Sequence, residues 1–262
     1  MAVRVVIIGS GNVAEAFAGA LPRCGVQTVQ VLARNRQRGE ITASAAGCPF
    51  TDDPRQTAVA DIYIAAVSDS AIGTVLEQLD LPGQAVVAHV SGGQSINVIP
   101  EKFAHRGVLY PLQTFTAGRS ADFSEIPIFI EASDSYAAER LKSLACSLSK
   151  NVSFADSAQR ARIHTAGVFA CNFVNAMYAA GAEVARKAGM PFDILKPLIA
   201  ETARKAVSVN DPRSVQTGPA IRRDNGTMLR HLQLLADSGE TSLHDIYSTI
   251  SEYITTEYGK KL

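Results

Sequence analysis

Two groups of residues in this chain are suited to moving a hydride and a proton. The first is Gly9-Ser10-Gly11-Asn12-Val13-Ala14, which follows the apolar run Val5 to Ile8. Gly9 permits a tight turn from strand to helix, Gly11 lets the backbone approach a pyrophosphate, and small Ala14 lets the helix sit close on the strand. The free N–H groups at that helix start and the positive end of its dipole suit a dinucleotide, although such turns also occur without ligands. The second group is His164, Asn172 and Asn175, spaced to share one helix face with Val168 between them. Histidine can give or take a proton near neutral pH, and positioned acid–base catalysis is worth roughly 100- to 10,000-fold in rate. The same three side chains would also serve as hydrogen-bonded groups inside a helix bundle.

Further residues complete a hydride-transfer site. After the predicted strand Thr28 to Leu32, Ala33-Arg34-Asn35-Arg36 stands where an NAD-binding chain places an acidic residue, with Arg38 close behind. Arginines there suit the 2′-phosphate of NADP, each charge-assisted contact being worth roughly 1.5–3 kcal/mol; a solvated basic loop is the alternative. Val67, Ser68 and Asp69 follow another predicted strand and are expected to bound the nicotinamide half, while Asp69 could also cap the next helix. His89 precedes Ser91-Gly92-Gly93 and is a candidate proton donor. Ser91, Gly92 and the amides after them could bind a substrate carboxylate. Gln113 and Thr114 offer neutral hydrogen bonds to substrate, and Arg222 could pair with a substrate acid or with Asp224. Tyr110 could donate a proton, though an aromatic before Pro111 more often packs.

These residues need a sheet and helices to hold them. Strands are predicted at Val5 to Ile8, Thr28 to Leu32, Ile62 to Val67, Ala85 to Val90, Val108 to Tyr110, Ile126 to Ile130 and Val152 to Phe154. Helices are predicted at Val13 to Leu21, Ser70 to Leu79, Asn97 to Phe103 and Tyr136 to Leu148. From Ser157 onward the pattern is helical, over Ala158 to Ala188, Phe192 to Val207, Thr227 to Asp237 and Ser242 to Tyr258. The expected fold is α/β: a Rossmann-type parallel sheet over residues 1–156, then an all-helical domain for substrate and dimerisation over residues 157–262. Phe169, Phe173, Val174 and Met177 spread round the axis of the long helix, so it needs apolar partners, which a homodimer or a compact monomeric bundle would provide.

Composition narrows the class. The 262 residues are 47% hydrophobic and 19% charged, and Lys+Arg of 25 balances Asp+Glu of 25, which argues against a nucleic-acid partner. Thr165 to Ala182 carries no charge, but its asparagines and the basic residues at both ends argue for a buried helix rather than a membrane span. Cys24, Cys48, Cys146 and Cys171 are far apart and read as reduced core thiols, and His105, His231 and His244 show no shared spacing or acidic partner. No metal site and a cytoplasmic location are expected, since the opening Met1-Ala2-Val3-Arg4 leads into an apolar run too short for a secretory signal.

Three segments carry a resemblance that spans nearly the whole chain: the glycine turn; Val86 to Gly93 with Gly107-Val108-Leu109-Tyr110-Pro111-Leu112-Gln113-Thr114-Phe115; and Thr217-Gly218-Pro219-Ala220-Ile221-Arg222-Arg223-Asp224. Together they resemble a family of Rossmann-like candidate NADP oxidoreductases with a C-terminal domain of unknown function. That family is related to pyrroline-5-carboxylate reductase, ketopantoate reductase, prephenate dehydrogenase and deazaflavin-dependent NADP reductases. The resemblance implies a C-terminal domain like that of 6-phosphogluconate dehydrogenase and an active site in the cleft between domains. Hydroxyacid-dehydrogenase relatives place a lysine one helical turn before an asparagine; if Asn172 is that asparagine, Val168 holds the lysine position. Tyr110 stands where the family usually has histidine.

The reading that follows is an NADP-dependent oxidoreductase acting at a C–O or C–N bond of a small polar substrate, with the arginine and histidine near the expected cleft leaning towards an anionic one. His164, Asn172 and His89 would carry the catalysis. Alternatives are an NADP-binding sensor without catalysis and electron exchange between NADP and a deazaflavin or flavin.

Overall fold

The computed structural model describes residues 2–258; Met1 and residues 259–262 of the expected domains lie outside them. An eight-stranded sheet forms the frame. Its strands are β1 (Arg4–Ile8), β2 (Gln27–Leu32), β3 (Phe50–Thr51), β4 (Ile62–Ala65), β5 (Val86–His89), β6 (His105–Pro111), β7 (Ile128–Ala132) and β8 (Val152–Phe154), in the order β3-β2-β1-β4-β5-β6-β7-β8. All neighbours are parallel except β6 and β7, so the sheet is parallel from β3 to β6 and mixed beyond it. The first six strands follow the doubly wound order, in which the chain reverses direction across the sheet between β1 and β4 and leaves a crevice there.

Burial on both faces explains why the strands read as continuous apolar runs. Side chains alternate along β1: Val5 and Ile7 join one core cluster with Phe17 and Leu141, while Val6 and Ile8 join another with Tyr63 and Leu76. Helices α1 (Asn12–Ala20), α2 (Arg36–Ala46), α3 (Ile72–Glu77) and α4 (Ser135–Leu148) accompany the strands. Helix α1 buries Ala14, Phe17 and Ala18, and Phe17 packs 5.2 Å from the ring of Phe123.

Three local expectations are corrected. The Arg34 to Arg38 segment is not wholly a loop: α2 starts at Arg36, capped by Asn35 Oδ1 accepting from Arg38 N–H and closed by Gly47 in the left-handed region. Asn97 to Phe103 is not a helix but a short 3₁₀ turn, Ile96–Val98, because Pro100 forces Ile99 into the extended region (φ −76°, ψ 125°). Nor are the cysteines all core thiols, since Cys146 is exposed and Cys24, Cys48 and Cys171 are half-buried; all four are unpaired.

The chain parts into two compact units, Met1–Asn172 and Phe173–Leu262. Helix α5 (Ser157–Gly167) therefore falls in the first, although it follows the expected boundary at residue 156. A π-helical stretch, Val168–Phe173, comes next. The second unit holds α6 (Val174–Lys187), α7 (Lys196–Val207), α8 (Asn225–Asp237) and α9 (Thr241–Tyr253). Among its described residues Ala185, Ala220 and Leu235 are the buried apolar side chains, whereas Leu198, Val207 and Leu229 are exposed. No helix of the described residues is long and apolar enough to cross a membrane.

Gly9 is the point where the sheet dictates residue type. Its φ of +122° is unfavourable for any side chain, and a Cβ would stand 2.3 Å from the Ala66 carbonyl oxygen. Gly9→Ala is expected to cost roughly 2–4 kcal/mol, read from the urea unfolding midpoint; an unchanged midpoint would contradict the strain argument.

Candidate active site

A cavity of about 690 Å³ lies over the carboxyl ends of β1, β2, β4 and β5. Gly9, Ser10, Gly11, Asn12 and Val13 line its middle, Arg34 and Asn35 one side, and Val67, Ser68, Asp69 and Ser91 the other. Of the residues expected to bind cofactor, all but Arg36 line it. The Arg36 guanidinium is held instead by Asp52 at 2.6 Å, with Glu40 at 3.7 Å and the Phe50 ring 5.6 Å below. Asp52 also lines the cavity, so Arg36 balances a negative charge beside the expected phosphate position. Arg34 is exposed and makes no ion pair among the described residues.

Gly11 tests whether a dinucleotide fits. Its φ of −78° suits any residue, and a Cβ there would meet nothing closer than Ala66 O at 4.0 Å. Packing within the chain thus makes no demand for glycine at this position, whereas the close approach of a pyrophosphate does. Asn12 at the start of α1 donates through Nδ2 to Phe115 O at 3.0 Å and accepts from Arg38 at 3.1 Å. That bond ties the Pro111 to Phe115 segment to the glycine turn.

Beyond Ser91 the chain turns through Gly92 and Gly93, and here a tyrosine and a histidine meet. Tyr110 Oη lies 3.1 Å from His164 Nδ1. A Cβ on Gly92 would stand 2.6 Å from Tyr110 Cζ and 2.7 Å from His164 Nδ1, so the glycine is what allows the pair to close over the loop. Gly93 sits between His164 and Asp69, its Cβ position 3.8 Å from each. His164 is exposed, while Tyr110 is buried; burial pushes the Tyr110 phenol up, with the nearby Arg160 charge opposing, so it keeps its proton at neutral pH. Tyr110 is thus more than a packing group.

Two expected roles are corrected by this geometry. His89 is wholly buried; its Nδ1 accepts from Ser91 N–H at 3.1 Å and its Nε2 donates to Ser95 O at 3.2 Å. With both nitrogens occupied it clamps the loop in place of exchanging a proton. Ser91 Oγ accepts from Gly93 N–H and Gln94 N–H, at 3.2 and 3.1 Å, and donates to Asp69 Oδ2 at 2.9 Å. Those two amides are therefore already used and form no cradle for a substrate carboxylate.

The remaining substrate candidates are dispersed. Gln113 turns back on the main chain, its Oε1 accepting from Thr114 N–H at 2.8 Å, and both residues are exposed. Asn172 is exposed within the π-helical stretch, whose altered turn breaks the 3.6-residue spacing expected to align His164, Asn172 and Asn175. Asn175 and Arg222 belong to the second unit and are exposed; Asp224, the alternative partner for Arg222, caps α8 by accepting from Thr227 N–H at 3.0 Å. His105 and His244 do have acidic partners, Asp134 at 3.1 Å and Asp245 at 3.4 Å. The described residues contain no cluster of three or more His, Cys, Asp or Glu able to hold a metal.

One residue escapes sequence reasoning altogether. Arg160 on α5 is completely buried, where it pairs with Glu131 of β7 and donates to the carbonyls of Ser91 (3.2 Å) and Gln94. It fastens the Ser91 to Gln94 loop from behind. Nothing in the sequence flags it, because an arginine early in a helix is usually solvated.

Two measurements check this scaffold. Arg160→Met leaves Glu131 half-satisfied and should cost about 3–5 kcal/mol in urea unfolding. Burial, together with the Arg160 charge, pushes His89 down to about 4 from an ordinary 6.5. The unfolded chain then takes up a proton that the native chain refuses, so stability should fall as pH drops from about 6.5 to about 4. The loss should approach 3 kcal/mol, on the order of 1.4 kcal/mol per pH unit, and should shrink in His89→Gln.

Residues 4–92 match the family described as NADP oxidoreductase coenzyme F420-dependent, and residues 126–254 match the Domain of unknown function (DUF2520). A Bacteroides fragilis structure, a candidate NADP oxidoreductase, is 39% identical, with 97% of this chain and 98% of that one covered and a TM-score of 0.87. A pyrroline-5-carboxylate reductase of Coxiella burnetii is 18% identical over 98% of this chain and 99% of that one, with a TM-score of 0.60. An imine reductase of Pseudomonas sp. is 17% identical over 98% and 95%, with a TM-score of 0.65. The last two share the fold. No curated protein matches the chain. On the sequence identity and coverage of the Bacteroides fragilis structure, the chain belongs to the family of NADP oxidoreductases in which the nucleotide-binding half is followed by a DUF2520 domain.

Proposed function

We propose that this protein is an NADP(H)-dependent oxidoreductase that reduces or oxidises a C–O or C–N bond in a small polar substrate. The observation that carries this is the cavity itself, which runs from Arg34 past the glycine turn to Asp69 and Ser91, beside the Tyr110–His164 pair. NADPH, when bound, supplies the hydride. Gly9 to Val13 would hold its pyrophosphate at the start of α1, and Arg34 its 2′-phosphate. His164 exchanges the proton at the substrate's oxygen or nitrogen, with Tyr110 fixing the ring through Nδ1.

Homodimerisation through the second unit is part of the same proposal. That unit has few buried apolar side chains, and its exposed Leu198, Val207, Leu229 and Leu234 need cover that a second copy would give. Its small apolar cavity of about 340 Å³, lined by Met177, Val184, Pro219, Leu243 and Ile250, is another surface that dimer packing would close. Sedimentation analysis should give about twice the chain mass. The cytoplasm is the location this chemistry suits.

Side-by-side fluorescence titrations with NADPH and NADH at one salt concentration test the cofactor assignment. NADPH should bind at least tenfold tighter, and Arg34→Ala should remove that preference without weakening NADH, since one charge-assisted contact is worth about 1.5–3 kcal/mol. Gly11→Val should weaken both nucleotides more than tenfold with little change in stability. Binding of neither nucleotide by the unmodified protein would overturn the oxidoreductase reading in favour of a non-catalytic role.

A further inference from the structure

The doubly wound order fixes which end of the cavity receives which half of a dinucleotide. With the pyrophosphate at the glycine turn and the adenosine ribose beyond β2, the nicotinamide half would extend across the crevice to the residues that follow β4 and β5. Asp69 stands there, and its surroundings hold it in one orientation. Ser91 Oγ donates to Asp69 Oδ2 at 2.9 Å, and Ser91 is in turn fixed by the Gly93 and Gln94 amides, by His89 and by buried Arg160. Asp69 forms no ion pair among the described residues, so the cavity carries an unneutralised negative charge at this end.

A carboxylate so placed discriminates between the two oxidation states of a nicotinamide. The oxidised ring is a cationic pyridinium, whereas the reduced dihydropyridine ring is neutral. We infer that Asp69 favours NADP⁺ over NADPH: it makes bound NADPH the stronger hydride donor and so shifts the equilibrium on the protein towards the reduced substrate. This rests on the oxidoreductase reading and deepens it. In a reduction the substrate's C=O or C=N carbon would gain the hydride that NADPH supplies, its heteroatom would gain a proton from His164, and NADP⁺ would be the other product, its positive charge offset by Asp69. Two electrons and two hydrogen nuclei are thus accounted for.

The same charge bears on the substrate. A carboxylate facing the reacting end disfavours a substrate anion there, and the Gly93 and Gln94 amides that would have welcomed one are bonded to Ser91. A C=N substrate, protonated to an iminium before hydride arrives, gains from Asp69 what an anionic group would lose.

The test needs no substrate. NADPH binding is followed by nucleotide fluorescence and NADP⁺ binding by competition, for the intact protein, for Asp69→Asn, which keeps the shape and removes the charge, and for Asp69→Ser as a second neutral variant. Both variants should lose about five- to tenfold in NADP⁺ affinity while NADPH affinity moves less than twofold, as expected for one partly screened charge. Equivalently, the midpoint potential of the bound couple should rise by about 20–30 mV, since tenfold corresponds to about 30 mV for two electrons. Equal changes for both nucleotides, or none for either, would overturn the role of Asp69. If the intact protein binds neither nucleotide, the oxidoreductase reading fails first and the inference fails with it.

Discussion

The pair between buried Arg160 and half-buried Glu131 is the interaction on which the candidate site depends. Taking the guanidinium wholly and the carboxylate largely out of water is costly, and the cost is offset only because the guanidinium also finds the carbonyls of Ser91 and Gln94. One side chain thereby joins α5, β7 and the loop after β5. That loop has little regular structure of its own, yet His89 clamps it from the strand side and Ser91 ties it to Asp69. His164, one helical turn beyond Arg160, is brought to Tyr110 by the same anchoring of α5. A rigid glycine loop with no side chain at Gly92 is what leaves room for the tyrosine and histidine to meet.

Polar groups at the crevice fall into two kinds. Those whose bonding capacity is already used inside the chain build the shape: His89, Ser91, Arg160 and Glu131. Those with capacity left can act on a ligand: Arg34, Asp69 and His164, all exposed. Residue type alone does not separate the kinds, since a histidine and a charged residue appear in each. Burial and bonding do.

Local features were legible in the sequence and distant partnerships were not. The glycine turn, β1 and α1 could be read because their requirements lie within a dozen residues, and the π-helical stretch aside, the long helices follow their apolar content. Helix α2 was hidden because Arg36-Gln37-Arg38-Gly39-Glu40 lacks an apolar stripe; its ends are set by the Asn35 cap and by Gly47. Its packing depends on Gly39, where a Cβ would stand 2.1 Å from the Phe50 ring. Arg36 looked like a phosphate ligand because its partner Asp52 lies 16 residues away. Arg160 meets Ser91 across 69 residues, and no periodicity reports such a contact. His89 and His164 looked alike as sequence; only the fold shows one sealed and the other open.

The most direct test of the account is a crystal structure of the protein grown with NADP⁺. The pyrophosphate should lie on the N–H groups at Gly11 to Val13, the 2′-phosphate at Arg34, and the nicotinamide ring facing Asp69 beside Gly93 and His164. A nucleotide bound with its ring directed away from Asp69, or bound outside this cavity, would contradict it.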